Sequence, residues 1–139
     1  MATLDSAATG LLGIWAGAIL HYSFAATPVL FRKLGREEAG KIVGLLFGGY
    51  YAFGWAAGGL ALASLAALGG PMPRTAMAGA ALATALAQGT VVRRWVIRLR
   101  DARASAPGGE ADRRFGAAHG ASMVLNLVVL GLALAAILT

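Results

Sequence analysis

Hydrophobic positions along the chain gather into four long runs, at about residues 9–31, 42–68, 75–92 and 117–138. Each run is near or above the ~17–25 residues that a helix needs to cross a bilayer. The polar stretches between the first three runs are short. Residues 32–38, Arg-Lys-Leu-Gly-Arg-Glu-Glu, close the first run. Gly69, Gly70, Pro71 and Pro73 mark a tight turn after the second, since proline lacks a donor and glycine bends freely. Residues 93–114 form a polar segment after the third run, with Pro107, Gly108 and Gly109 inside it. The pattern predicts an all-α, integral membrane four-helix bundle, built as a single transmembrane domain over residues 1–139. The third run is the least lipophilic, with seven alanines in its eighteen residues, which suits a helix packed among partners. Its extension, from Arg93 to about residue 104, reads either as a continuation anchored by Trp95 at the interface or as a short in-plane amphipathic helix on anionic lipid.

Composition fits this reading. Hydrophobic residues make up 58% of the 139 residues and charged ones only 13%, with a mean hydropathy of +0.71. Soluble domains carry about a quarter charged residues, so the bilayer is the expected solvent. Cysteine is absent, which excludes disulfides, thiolate metal sites and cysteine nucleophiles. The first five residues lack the positive region of a secretory signal, so the first run is expected to be retained as a helix.

The net charge of +6 would suggest nucleic acid in a soluble protein, but here its distribution reads as topology. Arg32, Lys33, Arg36 and Lys41 lie between the first two runs. Arg93, Arg94, Arg98, Arg100, Arg103, Arg113 and Arg114 lie between the last two. Arg74 alone lies in the middle turn. By the positive-inside rule the two basic segments face the cytoplasm. Both termini are then extracytoplasmic, and the setting is a bacterial cytoplasmic membrane. The expected partners are the lipid bilayer and other membrane subunits or a second copy of the chain, with no nucleic acid.

Glycines recur at close-packing intervals: Gly13 and Gly17 on the first helix, and Gly44, Gly48, Gly54 and Gly58 on the second. Small residues let helix backbones approach where lipid supplies no hydrophobic drive, so these glycines are expected to pack against helices within the bundle, with packing onto another subunit as the alternative. His21 shares a face with Gly13 and Gly17, which places it inside the bundle near the midplane. An ionisable group at that depth is a functional candidate or a neutral group bonded across helices. On the last helix His119, Ser122 and Asn126, spaced three and four apart, form one polar stripe. Tyr50, Tyr51, Thr84 and Gln88 belong to the same inner half, so all four helices can share one polar layer. That layer is either a binding site or proton path, or it is interhelical glue. No metal or cofactor is expected. His21 and His119 differ in depth by about 12 Å on straight helices, and no Asp or Glu lies within a run. No catalytic constellation is present, so an enzyme is not expected. Two functions remain: a small accessory or interaction subunit, or a small carrier or binder of a solute or metal ion through the polar layer.

Two stretches carry a family resemblance. One is residues 26–40, Ala-Thr-Pro-Val-Leu-Phe-Arg-Lys-Leu-Gly-Arg-Glu-Glu-Ala-Gly, followed by Leu46-Phe-Gly-Gly-Tyr-Tyr51. The other is residues 115–126, Phe-Gly-Ala-Ala-His-Gly-Ala-Ser-Met-Val-Leu-Asn. They resemble the transmembrane protein 205-like family, a domain of unknown function, in which Pro28, Phe31, Gly40, Phe47, Tyr50, His119, Gly120, Ser122 and Asn126 occupy matching positions. The resemblance implies a four-helix membrane protein with no settled activity. The architecture is also distantly similar to copper-resistance membrane domains and a haem-dependent oxidase. Those relatives place a histidine early in the first helix, where Ala8 stands here, so neither haem nor copper is carried over.

Overall fold

The computed structural model describes residues 2–139, with side chains from residue 5 onward. Met1, part of the expected non-signal start, lies outside the described residues. The chain forms α1 (Ala2–Leu20), a π-helical segment (His21–Ala26), α2 (Thr27–Ala67), α3 (Met72–Ala87), a second π segment (Gln88–Val92), α4 (Arg93–Ser105) and α5 (Gly109–Leu138). No strand occurs among the described residues.

Helix extends well beyond the apolar runs. The arginines, glutamates and alanines of the polar stretches are good helix formers. Pairs one turn apart support them: Lys41 with Glu37 at 2.8 Å, and Arg114 with Glu110 at 2.8 Å. Three continuous helical runs are long and apolar enough to cross a membrane: Asp5–Ala67, Met72–Ser105 and Gly109–Leu138.

The first of these runs is broken at Gly35, where φ is 75° and ψ 176°. Only glycine adopts that backbone conformation readily. Residues on either side of the break pack together. The Tyr22 ring meets Phe47 at a tilt, 5.6 Å between centroids, and its hydroxyl donates to the Val43 carbonyl at 3.1 Å. Further out, Trp15 packs against Gly54 and Gly58. These pairs lie at similar sequence distances from Gly35, so the chain folds back on itself there. The next reversal follows α2. The Gly70 N–H bonds the Leu65 carbonyl at 2.9 Å and the Gly69 N–H bonds the Ala66 carbonyl at 3.2 Å, with Gly69 at φ 61°. This is a Schellman helix end, and Pro71 behind it prevents continuation.

The core joins Leu12, Trp15 and Ile19 of α1 to Ala57, Ala61 and Leu65 of α2. Ala78, Ala81 and Ala85 of α3 and Val129, Ala133 and Ala136 of α5 complete it. These three α3 alanines turn inward, which lets α2 and α5 approach closely, while Ala76, Ala80, Ala83 and Ala87 are exposed. Trp15 fills a notch on α2: a Cβ at Gly54 would lie 2.7 Å from the Trp15 Nε1, and one at Gly58 2.7 Å from its Cζ3.

Other glycines do not pack as expected. Gly13 and Gly17 lie on the exposed side of α1, Gly48 is exposed on α2, and Gly44 is half-buried. Nothing would meet a Cβ at Gly13, Gly17 or Gly48. The reason is that α1 presents its large residues inward. A tryptophan knob in a glycine notch needs small residues on one helix only, and α2 provides them.

The two ends of the bundle differ in charge. Beside the Gly69–Gly70 turn, Arg74 is buried to 7% exposure. It donates to Asp5 at 2.5 Å and to Thr9 Oγ1 at 2.6 Å, tying the start of α3 to the start of α1. At the other end α4 continues α3 and packs against α5, with Arg103 paired to Asp112 and seated over the Phe115 ring at 5.3 Å. Residues 93–105 therefore continue the helical run that begins at Met72.

The packing predicts opposite outcomes for two glycines. Gly58→Ala overpacks the Trp15 notch and should cost about 1–3 kcal/mol. Gly17→Ala should leave stability within about 0.5 kcal/mol or raise it slightly. Thermal unfolding in mild detergent checks both; equal losses would contradict this packing.

Candidate functional site in the polar layer

Asn126 sits on the inner side of α5 and joins three helices. Its Oδ1 accepts from the Tyr50 hydroxyl at 2.6 Å, and its Nδ2 donates to Ser23 Oγ at 3.0 Å. Gln88, buried at the start of the second π segment, donates to the Ser122 carbonyl at 2.9 Å. Both π segments thus supply a polar side chain to one layer, Ser23 from the first and Gln88 from the second. Such single-turn departures from the α-helix often lie at functional positions.

Aromatic rings flank these bonds. Tyr22 stacks on Tyr50 at 4.8 Å, Tyr50 meets Tyr51 edge-on at 5.4 Å, and Tyr51 stacks toward Trp55 at 6.4 Å. Trp55 Nε1 donates to the Ala85 carbonyl at 3.1 Å. Gly89 makes room for this wall, since a Cβ there would lie 2.5 Å from Trp55 and 2.9 Å from Tyr51.

The enclosed space is small. The cavity lined by Trp15, Tyr50, Tyr51, Gln88 and Asn126 holds about 10 Å³, near the lower limit for one water molecule. The layer in this conformation is therefore a bonded contact, with no room for a solute.

Of the residues expected in the layer, Tyr50, Tyr51, Gln88, Ser122 and Asn126 come together. Thr84 bonds the Ala80 carbonyl of its own helix at 2.8 Å and joins no other helix. His21 opens the first π segment, is exposed and does not enter the bundle. His119 is also exposed. It stacks on Phe115 at 5.8 Å, while Ala118 takes the buried side of α5 at that height. Ser23 was not anticipated, although it stands four residues beyond Ile19 and eight beyond Trp15, in line with the large residues that mark the buried face. Gly89 was also missed, and only its place between two apolar turns distinguishes it in sequence. Among the described residues no three of His, Asp and Glu gather at one point.

Long apolar helices held together by a buried polar layer define a multi-pass membrane protein. The chain belongs to the family described as Domain of unknown function (DUF4149), whose model matches residues 10–105. The match includes Ser23, Tyr50 and Gln88, while Ser122 and Asn126 lie beyond it. Neither a curated protein nor a solved structure matches the chain.

The layer predicts a graded response. Asn126→Leu leaves the Tyr50 and Ser23 hydroxyls without their partner and should cost about 1–2 kcal/mol. His119→Ala should change stability by less than about 0.5 kcal/mol. Unfolding of both variants in detergent checks the ranking, and an equal or larger loss for His119→Ala would contradict it.

Proposed function

We propose that this chain is a non-enzymatic membrane bundle that acts through its outer surface, as an accessory or interaction subunit for other membrane proteins or for a second copy of itself. The observation that carries the reading is the exposure of Gly13 and Gly17 on α1 and of His21 at the start of the π segment that continues it. Small residues offer a flat surface for another helix, and an ionisable group facing hydrocarbon gains by finding a protein partner. The alternative, a carrier or binder of a solute or metal ion through the polar layer, has less support, because the layer's groups bond one another and the space between them is about 10 Å³. The same reading takes no cofactor.

In this reading the chain crosses the membrane four times, as transmembrane protein 205-like bundles do. A straight helix of 63 residues, the length of the Asp5–Ala67 run, would extend about 95 Å, some three times the hydrocarbon thickness. The break at Gly35 divides it into two crossings. Both termini and Arg74 then lie outside a bacterial cytoplasmic membrane, and the other eleven cations lie inside. Pairing of Arg74 with Asp5 further neutralises the outer end.

One set of variants tests both parts. In intact cells, a single cysteine at Gly70 should label from outside and one at Ser105 should not; the reverse pattern would invert the topology. After mild solubilisation, the wild-type chain should run as an assembly or with a stoichiometric membrane partner. Gly13→Leu with Gly17→Leu should abolish that association while leaving the melting temperature unchanged. A wild-type chain that runs as a lone monomer would overturn the interaction reading.

A further inference from the structure

On the outer surface, Thr90, Val91, Arg94, Trp95 and Arg98 line an open groove of about 380 Å³. These positions recur at intervals of four, so they share one face across the second π segment and the first turns of α4. The groove is graded along its length. Val91, 68% exposed, belongs to the apolar run, and Trp95, 47% exposed, follows one turn later. Arg94 is level with Trp95 on the adjacent row of the same face, and Arg98 lies one turn, about 6 Å of rise, further on.

No carboxylate lines the groove. The acidic residues near it are otherwise engaged, Asp101 with Arg100 and Asp112 with Arg103. Arg94 and Arg98 enter no ion pair among the described residues. Two unpaired guanidinium groups beside an interfacial tryptophan match one kind of ligand: a phosphate joined to an acyl chain. Guanidinium forks suit phosphate oxygens, and the indole and Val91 suit the glycerol end of the chain.

We propose that this groove binds an anionic phospholipid, with its phosphate held by Arg94 and Arg98 and the base of its acyl chain against Val91 and Trp95. The site is independent of the interaction face on α1 and needs only that the chain resides in a membrane. An anionic lipid is favoured over a zwitterionic one because a choline or ethanolamine cation would face the two arginines. A free phosphate would leave the apolar half of the groove uncovered.

Tryptophan fluorescence can read the site. Trp15 is buried and Trp55 is half-buried against Ala85, so Trp95 is the indole most open to lipid. The protein is placed in phosphatidylcholine vesicles containing brominated phosphatidylglycerol, and separately in vesicles containing brominated phosphatidylcholine. The expected result is stronger quenching by the brominated phosphatidylglycerol, lost in Trp95→Phe. Arg94→Gln with Arg98→Gln should reduce the apparent affinity about fivefold for each arginine removed. Arg32→Gln with Arg36→Gln removes equal charge from the other basic segment and should leave the preference intact. The proposal is overturned if the wild type shows no preference, if the Arg94 and Arg98 pair can be removed without effect, or if both pairs matter equally. Loss of the preference in millimolar inorganic phosphate would assign the groove to a soluble anion and overturn it as well.

Discussion

A polar side chain buried among apolar helices has no water to bond, and the Asn126 amide is where that constraint shapes this bundle. Its oxygen is satisfied by Tyr50 and its nitrogen by Ser23, so α1, α2 and α5 are held at one relative height. Sliding any of the three by a turn would leave several donors and acceptors unpaired, and each costs free energy in hydrocarbon. Gln88 adds α3 through the backbone of α5. Apolar packing alone would fix height poorly here, because the inner face of α3 is a row of alanines. The Trp15 knob in the Gly54 and Gly58 notch supplies a second point of register between α1 and α2. The Arg74 contacts with Asp5 and Thr9 supply a third, at the end of the bundle.

With the polar groups directed at each other, the interior is a fastening, and the surfaces proposed for function lie outside. Two outer surfaces stand out from the apolar residues facing lipid. One is the exposed glycines of α1 with His21 just beyond them, and the other is the arginine and tryptophan groove at the start of α4. They lie on different helices and suit different occupants, a protein helix and a phospholipid. In the proposed reading, one surface selects a partner and the other the lipid surroundings.

Much of this was legible in the chain. The apolar runs, the breaks between them and the inward polar positions Tyr50, Gln88 and Asn126 follow from length, composition and spacing. The facing of α1 did not. In a soluble helix the apolar side marks the core, but in a membrane helix both sides are apolar, so glycine spacing was the cue that remained. It selected Gly13, Gly17 and His21, while the buried side is Leu12, Trp15 and Ile19, the side that leads on to Ser23. The two π segments add a second difficulty, because each shifts the angular register that spacing arguments assume. His119 shows a third: a residue aligned with Asn126 on α5 can lie beyond the part of the bundle where that side is covered.

For the polar layer to set the height of the helices, the Tyr50–Asn126 bond must carry energetic weight in the folded bundle. A double-mutant cycle with Tyr50→Phe and Asn126→Ala, measured by reversible unfolding in detergent, isolates it. The predicted coupling is about 0.6 kcal/mol, the average found for interhelical hydrogen bonds in membranes, with about 1.7 kcal/mol as the upper end. Losses that add to within about 0.3 kcal/mol would mean that the two side chains act independently and that the polar layer does not set the height of the helices.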